Sequence, residues 1–238
     1  MTLVGKIIEA HLLNDKDKET MYNLMNAFYD DVMPEVFAKD LGEKDYCILL
    51  LDEGGAIKGF STQKIMELEV HGQSVFGVFS GDTIIHRDYW GSSELFKIFA
   101  RYFINYGKQY QTFYWFLISK GYKTYKMLPL FFDHFYPNYK AKTPGFEQAI
   151  IDAFGGNKYP GEYDEKTGVI CYQGVKDKLK AGVADITGKR LKDKHIQFFI
   201  QENPDYFKGN DLVCLARLDE ENLKKSVKRM LLGKSKDA

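Results

Sequence analysis

The residues best suited to chemistry lie in one run, Val78-Phe-Ser-Gly-Asp-Thr-Ile-Ile-His-Arg-Asp-Tyr-Trp-Gly-Ser-Ser-Glu-Leu95. An apolar stretch ends at His86, a turn carrying Gly91, Ser92 and Ser93 follows, and an apolar-periodic segment begins. A helix N-terminus has amide N–H groups without partners and a partial positive charge, so a glycine-containing turn ahead of it makes an anion site. Gly91 lets the backbone approach closely, and the two serine hydroxyls add donors. His86 brings an imidazole, which ordinarily titrates near neutral pH and can move protons. A single histidine at a strand end serves equally well as a cap.

Other chemistries lack their residues. No G-x-S-x-G elbow surrounds any serine, and no G-x-x-x-x-G-K-[ST] loop occurs. The histidines at 11, 71, 86, 134 and 195 are far apart and have no partner spacing for a metal. Asp133-His134 is no dyad, because sequence neighbours on a helix point apart. Cys47, Cys171 and Cys214 are odd in number and widely spaced, which gives no disulfide framework.

The 238 residues balance 33 basic against 33 acidic side chains, so no overall field draws the chain to nucleic acid or an anionic membrane. A hydrophobic share of 45% is enough for a real core and excludes disorder as the main state. No window is long and apolar enough for a membrane span, and the N-terminus lacks a signal pattern, so a cytoplasmic protein is expected.

The chemistry then needs a scaffold. Residues 3–13 read as a strand. Met21, Met25, Phe28 and Val32 fall at i, i+4, i+7 and i+11, the stripe of an amphipathic helix over 16–32, and a second short helix follows Pro34. Residues 46–51 and 56–70 make a hairpin about the turn at 52–55. Residues 74–79 and 83–85 form a further strand, with a bulge expected where Ser80-Gly81 interrupts it. Leu95, Phe99, Tyr102 and Tyr106 restore helical spacing up to Gly107, and 112–118 is an apolar run suited to a central strand covered on both faces. Leu128-Pro129 reads as a break before a short aromatic helix over 130–136. Helices at 146–154, 193–201 and 220–232 and strands at 169–173 and 212–218 complete an α/β chain of α+β type.

With this order of elements, the run 78–95 and the helix after it resemble the GNAT superfamily of N-acyltransferases. The resemblance covers about residues 3–140 and implies a mixed, mostly antiparallel central sheet flanked by helices. It divides the chain into a core, 1–140, and a C-terminal extension, 141–238, packed on it as a lid, an acceptor-binding element or a dimer element. In that family an R/Q-x-x-G-x-G/A loop holds the acyl-CoA pyrophosphate, which implies Arg87, Gly91, Ser92 and Ser93 here. Asp88 stands where the family has Arg or Gln, and this departure brings in an acyl carrier protein as the alternative pantetheine donor. The family's strand before the loop splays from the next one and pairs with the pantetheine arm, which implies the backbone of Ile84 and Ile85, with Ser119 at the mouth. Ser119 serves equally as a structural donor.

The implied reaction is direct attack of an amine on a thioester, which needs a base and an acid. Glu67, Glu69 and His86 are the candidate bases, and Tyr136 or Tyr139 the candidate acid. The alternative is a non-catalytic module of the same fold that binds an acyl thioester or an acylated carrier protein. The aromatic share of 15% is concentrated at 113–116 and 131–136, and the expectation is a medium or long acyl chain in an aromatic-lined tunnel. Lys224, Lys225, Lys228, Arg229, Lys234 and Lys236 follow the acidic residues 219–221. That polarity suits a solvated helix and its dipole, and also the docking of an acidic carrier protein. No metal is expected.

Overall fold

The computed structural model describes residues 2–232; Lys234 and Lys236 of the basic C-terminal run lie outside them. Eight strands form one sheet: β1 Val4–Glu9, β2 Tyr46–Leu51, β3 Ile57–Val70, β4 Gln73–Ile85, β5 Phe113–Ser119, β6 Tyr163–Asp164, β7 Val169–Ile170 and β8 Asp211–Arg217. Their order is β1-β2-β3-β4-β5-β8-β7-β6, and only β4 and β5 run parallel. The helices are α1 Asp15–Phe28, α2 Pro34–Gly42, α3 Glu94–Gly107, α4 Tyr122–Tyr125, α5 Met127–Phe131, α6 Gly145–Lys158, α7 Lys194–Glu202 and α8 Lys225–Leu232. This is the mixed, mostly antiparallel sheet flanked by helices that the resemblance implies. No helix among the described residues is long and apolar enough to cross a membrane.

Side-chain alternation along the strands distributes the core. Ile48, Leu50, Val78 and Trp115 point to one face, where α3, α5, α7 and α8 pack. Cys47, Leu49 and Phe60 point to the other face beneath α1 and α2, while Phe79, Phe116 and Leu215 lie on that same face beneath α6. The runs in β2 and β5 are therefore continuous in sequence because both of their faces are covered. The β3–β4 hairpin closes through His71 and Gly72, both at positive φ, the geometry of a two-residue turn whose twist matches the strands.

Four local expectations are corrected. The aromatic helix expected over 130–136 is instead Met127–Phe131; Pro129 is tolerated in its first turn, where an N–H has no partner anyway, and Phe132 ends it in extended backbone. The last helix starts at Lys225, not 220. Asp219 accepts the Asn222 amide at 2.8 Å, and the acidic residues before it form a turn. The strand expected over 169–173 is two residues long, and the helix expected over 146–154 extends to Lys158. β8, from the segment after residue 140, is an internal strand hydrogen-bonded between β5 and β7.

Candidate active site

The parallel pairing of β4 with β5 runs from Phe76–Phe113 to Ser80–Leu117 and then stops. Beyond it, β4 keeps its bonds to β3 alone. The register with β3 passes from Gln63–Ser80 to Ser61–Thr83, so β4 carries an extra residue at Gly81-Asp82. This bulge turns the end of β4 away from β5. The helical cover is also split here, with α1 and α2 on one side and α6 on the other. A cavity of about 210 Å³ opens in the gap, lined by Met25, Phe37 and Asp40 from the first pair and by Lys158 at the end of α6.

The bulge puts Asp82 into the lining of this cavity. Burial of its carboxyl, with the Asp40 and Asp177 carboxylates close by, pushes Asp82 up to about 7 against the pull of Lys44 and Lys176. It makes no side-chain hydrogen bond or ion pair among the described residues. The other lining carboxylates are engaged: Asp211 accepts from the Tyr172 hydroxyl at 2.8 Å and pairs with Lys120 at 3.1 Å, and Asp177 pairs with Lys176 at 2.8 Å. Tyr29 lines the cavity too, its phenol raised well above the ordinary value by burial and then by Asp82. Beneath the bulge, the Thr62 hydroxyl is buried without a partner, and a Cβ at Gly81 would lie 2.7 Å from it.

The opening between the parted strands continues as a second cavity of about 120 Å³, lined by Thr83, Ile84 and Ile85 on one side and Lys120, Gly121 and Lys123 on the other. Its outer end is covered. The Trp90 indole N–H donates to the Ile85 carbonyl at 2.9 Å. A strap from the C-terminal extension crosses it, with Lys178–Leu179 paired to Tyr29–Asp30 and Leu179 and Val183 in the lining. A third, small cavity of about 30 Å³ lies on the α3 side, lined by Ser80, Thr83, Phe96, Trp115, Leu117 and Met127 among others.

The expected catalytic residues are not brought together. Glu69 pairs with Ser74 beside the hairpin turn, and Glu67 pairs with Phe76. Both are exposed, and at about 3.3 Å per residue Glu69 stands roughly 20 Å along β4 from the parting point. Tyr136 bridges Leu215, on the far side of β8 from β5, with its phenol raised by burial and by Glu147. Tyr139 packs on His195 at 4.8 Å between ring centres. His86 is nearer: it ends β4, its ring meets Phe28 edge-on at 6.3 Å, and its Nδ1 accepts from the Asp88 amide at 3.4 Å. Ser119 is buried on the α3 face against Cys214, 3.7 Å away.

Ile84 and Ile85 do line the cleft between the strands. Gly91 adopts the positive φ of 97° that its turn needs. Of the amides around it, Trp90 donates to Arg87, Ser92 to Tyr89 and Glu94 to the Ser92 hydroxyl, while those of Gly91, Ser93, Leu95 and Phe96 have no partner among the described residues. The aromatic segments are core. On a strand, Phe113 and Trp115 face one way and Tyr114 and Phe116 the other, so they cannot line one tunnel. Phe131 stacks on Phe96 at 3.4 Å, and Phe132 lies tilted against Trp115 at 5.7 Å between ring centres.

Sequence reasoning missed Asp82 and Tyr29. The available signal for Asp82 was a lone carboxylate directly after the bulge glycine in an otherwise uncharged strand.

No protein-family profile matches the chain, and no curated protein matches it. Among solved structures it is similar to a conserved protein of Enterococcus faecalis V583 described as a probable N-acyltransferase, with a TM-score of 0.41 and 12% identity over 56% of this chain and 33% of that one. It is also similar to an Escherichia coli GNAT family N-acetyltransferase in complex with CoA, with a TM-score of 0.37 and 11% identity over 50% of this chain and 65% of that one. A third similarity is to Saccharomyces cerevisiae N-myristoyltransferase with bound myristoyl-CoA, with a TM-score of 0.37 and 13% identity over 49% of this chain and 31% of that one. The chain thus spans a third of the length of the first of these and under two thirds of the second.

Proposed function

We propose that the chain is an N-acyltransferase that moves an acyl group from a pantetheine thioester, acyl-CoA or an acyl carrier protein, to an amine by direct attack. One observation carries this reading: β4 and β5 part beyond Ser80–Leu117 and leave a cleft that runs into the cavity holding Asp82. An extended arm can pair with strand backbone in such a cleft and present its thioester at the bulge. Asp82, pushed up to about 7, is matched to take a proton near neutral pH. The amine lone pair attacks the thioester carbonyl, and the amine's proton passes to Asp82. The C–S bond breaks with its electron pair on sulfur. Tyr29, held in its phenol form, donates a hydrogen bond to the departing sulfur, which takes one proton from solvent.

On the α3 side of the cleft a medium or long acyl chain would have to displace the stacked Phe96 and Phe131, whereas the cavity of about 30 Å³ there has room for a short one. The reading therefore takes a short acyl group on that side, and a longer one only toward the cavity that holds Asp82. For a carrier-protein donor the basic helix offers Lys225 and Arg229 outward, because Lys224 and Lys228 turn back onto the carbonyls of Pro129 and Glu221.

The second reading, binding without transfer, is favoured by the Trp90 indole, which occupies the Ile85 carbonyl at the cleft's end. Release of free thiol from acetyl- and longer acyl-CoA species, and from an acylated carrier protein, with a panel of amines separates the two. Turnover that requires Asp82 supports transfer. A bound thioester that is never consumed overturns it.

A further inference from the structure

A chain of hydrogen bonds crosses the sheet where β4 and β5 part, joining side chains of β3, β4 and β5 that are all buried except the half-buried Thr83. The Trp115 indole N–H donates to the Ser80 hydroxyl at 2.8 Å, and Ser80 donates to the Gln63 Oε1 at 2.7 Å. The Gln63 amide donates to the Ser61 hydroxyl at 2.7 Å. The Ser61 and Thr83 hydroxyls lie 2.7 Å apart, and Thr83 donates to the Gly81 carbonyl at 3.2 Å.

The direction of this chain is fixed from both ends, because an indole N–H only donates and a carbonyl oxygen only accepts. Ser80, which receives the indole proton, gives its own to Gln63. Thr83, whose proton is on the Gly81 carbonyl, accepts from Ser61. Ser61, Ser80 and Thr83 thus each accept once and donate once, so each keeps one oxygen lone pair and has no proton left to give.

These three residues line the cavity of about 30 Å³ on the α3 side, whose remaining walls include Phe96, Phe99 and Leu117 and no charged side chain among the described residues. The cavity adjoins the other two at Thr83 and Thr124, which line all three. Thr124 is half-buried at that junction, and its hydroxyl makes no hydrogen bond among the described residues. A volume of this size holds about two water-sized groups. Inside the junction the polar wall therefore offers acceptors without donors. A methyl group leaves that wall unpaired. A carboxylate would give up its hydration for, at most, the one neutral donor at Thr124.

We propose that this cavity selects the acyl group of the donor, and that the group it selects is short and uncharged and carries a hydroxyl on the carbon next to the carbonyl, hydroxyacetyl being the smallest. The inference deepens the acyl-transfer reading and rests on it. The acyl carbonyl stays at the junction, while the methylene and hydroxyl fill the cavity and the O–H donates to a lone pair of the wall. Propionyl has the same number of heavy atoms and no proton to donate, and malonyl adds a negative charge.

The test is a calorimetric titration of the full chain with hydroxyacetyl-, propionyl-, acetyl- and malonyl-CoA, with no amine present so that no donor is consumed. It is run on wild type, Thr83→Val, Ser61→Ala and the surface control Lys108→Ala. Hydroxyacetyl-CoA should bind about 3- to 10-fold tighter than propionyl-CoA, the effect of one hydrogen bond between neutral groups. Malonyl-CoA should bind at least about tenfold more weakly than acetyl-CoA, from the buried charge. Thr83→Val keeps the side-chain shape and frees the Ser61 proton, and Ser61→Ala frees a Gln63 N–H, so each variant replaces an acceptor of the wall by a donor. The preference for hydroxyacetyl over propionyl should fall to within about twofold in both variants and persist in the control. Wild type that binds propionyl-CoA as tightly as hydroxyacetyl-CoA overturns the selection, and so does an undiminished preference in both variants, with folding checked by circular dichroism; either result leaves the acyl-transfer reading standing. If none of the four thioesters binds wild type, the acyl-transfer reading falls and takes the selection with it.

Discussion

The two halves of β4 are made of similar residues and do opposite jobs. From Phe76 to Ser80 the strand is bonded on both sides, to β3 and to β5, and its side chains pack under α3 and α6. From Gly81 to Ile85 it is bonded to a strand on one side only and lines three cavities. One extra residue at the bulge separates them. A strand stabilises the fold where its backbone is saturated and becomes available for binding where one row of N–H and C=O groups lacks a strand partner.

The largest break in this comparison is chemical. Asp82→Asn should lower the rate of thiol release by about 10²- to 10⁴-fold, the range for removing a positioned base, with little change in KM. Glu69→Gln, in the saturated half, should leave the rate within about twofold. Steady-state thiol detection reads both.

A stability contrast comes next. A Cβ at Gly77 would run into the Phe116 ring and lie 2.6 Å from the Tyr114 carbonyl oxygen. Gly77→Ala should therefore cost about 1–3 kcal/mol, read as a fall in Tm of roughly 2–4 °C per kcal/mol. At Gly81 the added Cβ meets the Thr62 hydroxyl and the Lys44 side chain, whose far end can move. Gly81→Ala should cost less than half as much stability while reducing turnover, because the bulge would reset.

Asp82→Asn should also stabilise the fold, in a pH-dependent way. The folded carboxyl titrates at about 7, above its ordinary 3.8, so the native state binds the extra proton and the wild type loses stability as pH rises from 3.8 to 7. The variant lacks that loss. Its Tm should exceed the wild type's at pH 8, by a margin worth about 1–3 kcal/mol, and match it near pH 4. The smallest effect concerns the strap. Lys178 pairs with Asp31 at 3.2 Å on the surface, and Lys178→Ala should cost under about 1 kcal/mol. It should still speed amide hydrogen exchange in the strap measurably without changing exchange in β5.

The division of β4 was partly legible in the sequence. Ser80-Gly81 announced the bulge, the apolar run at 112–118 announced a strand covered twice, and the spacing of Leu95, Phe99, Tyr102 and Tyr106 announced α3. These are local signals of period or backbone freedom. The site was much less legible, because its properties are set by residues distant in the chain. Asp82 is tuned by its burial in the gap, then by Asp40 from α2 and by Asp177 just before the strap. The insertion of β8 beside β5 joins segments that no periodicity connects. Glu69 and Tyr136 were attractive as residue types, yet register puts the first beside the hairpin turn and the second beyond β8.

The most direct test of the central claim is the pH profile of kcat/KM for wild type and Asp82→Asn, using an alkoxyamine acceptor whose own nitrogen titrates well below Asp82. The wild-type value should rise tenfold per pH unit and level off above about 7, as the free carboxyl loses its proton, and the variant should be slow and flat across that range. The same inflection in the variant would contradict Asp82 as the base at the parting of the two strands.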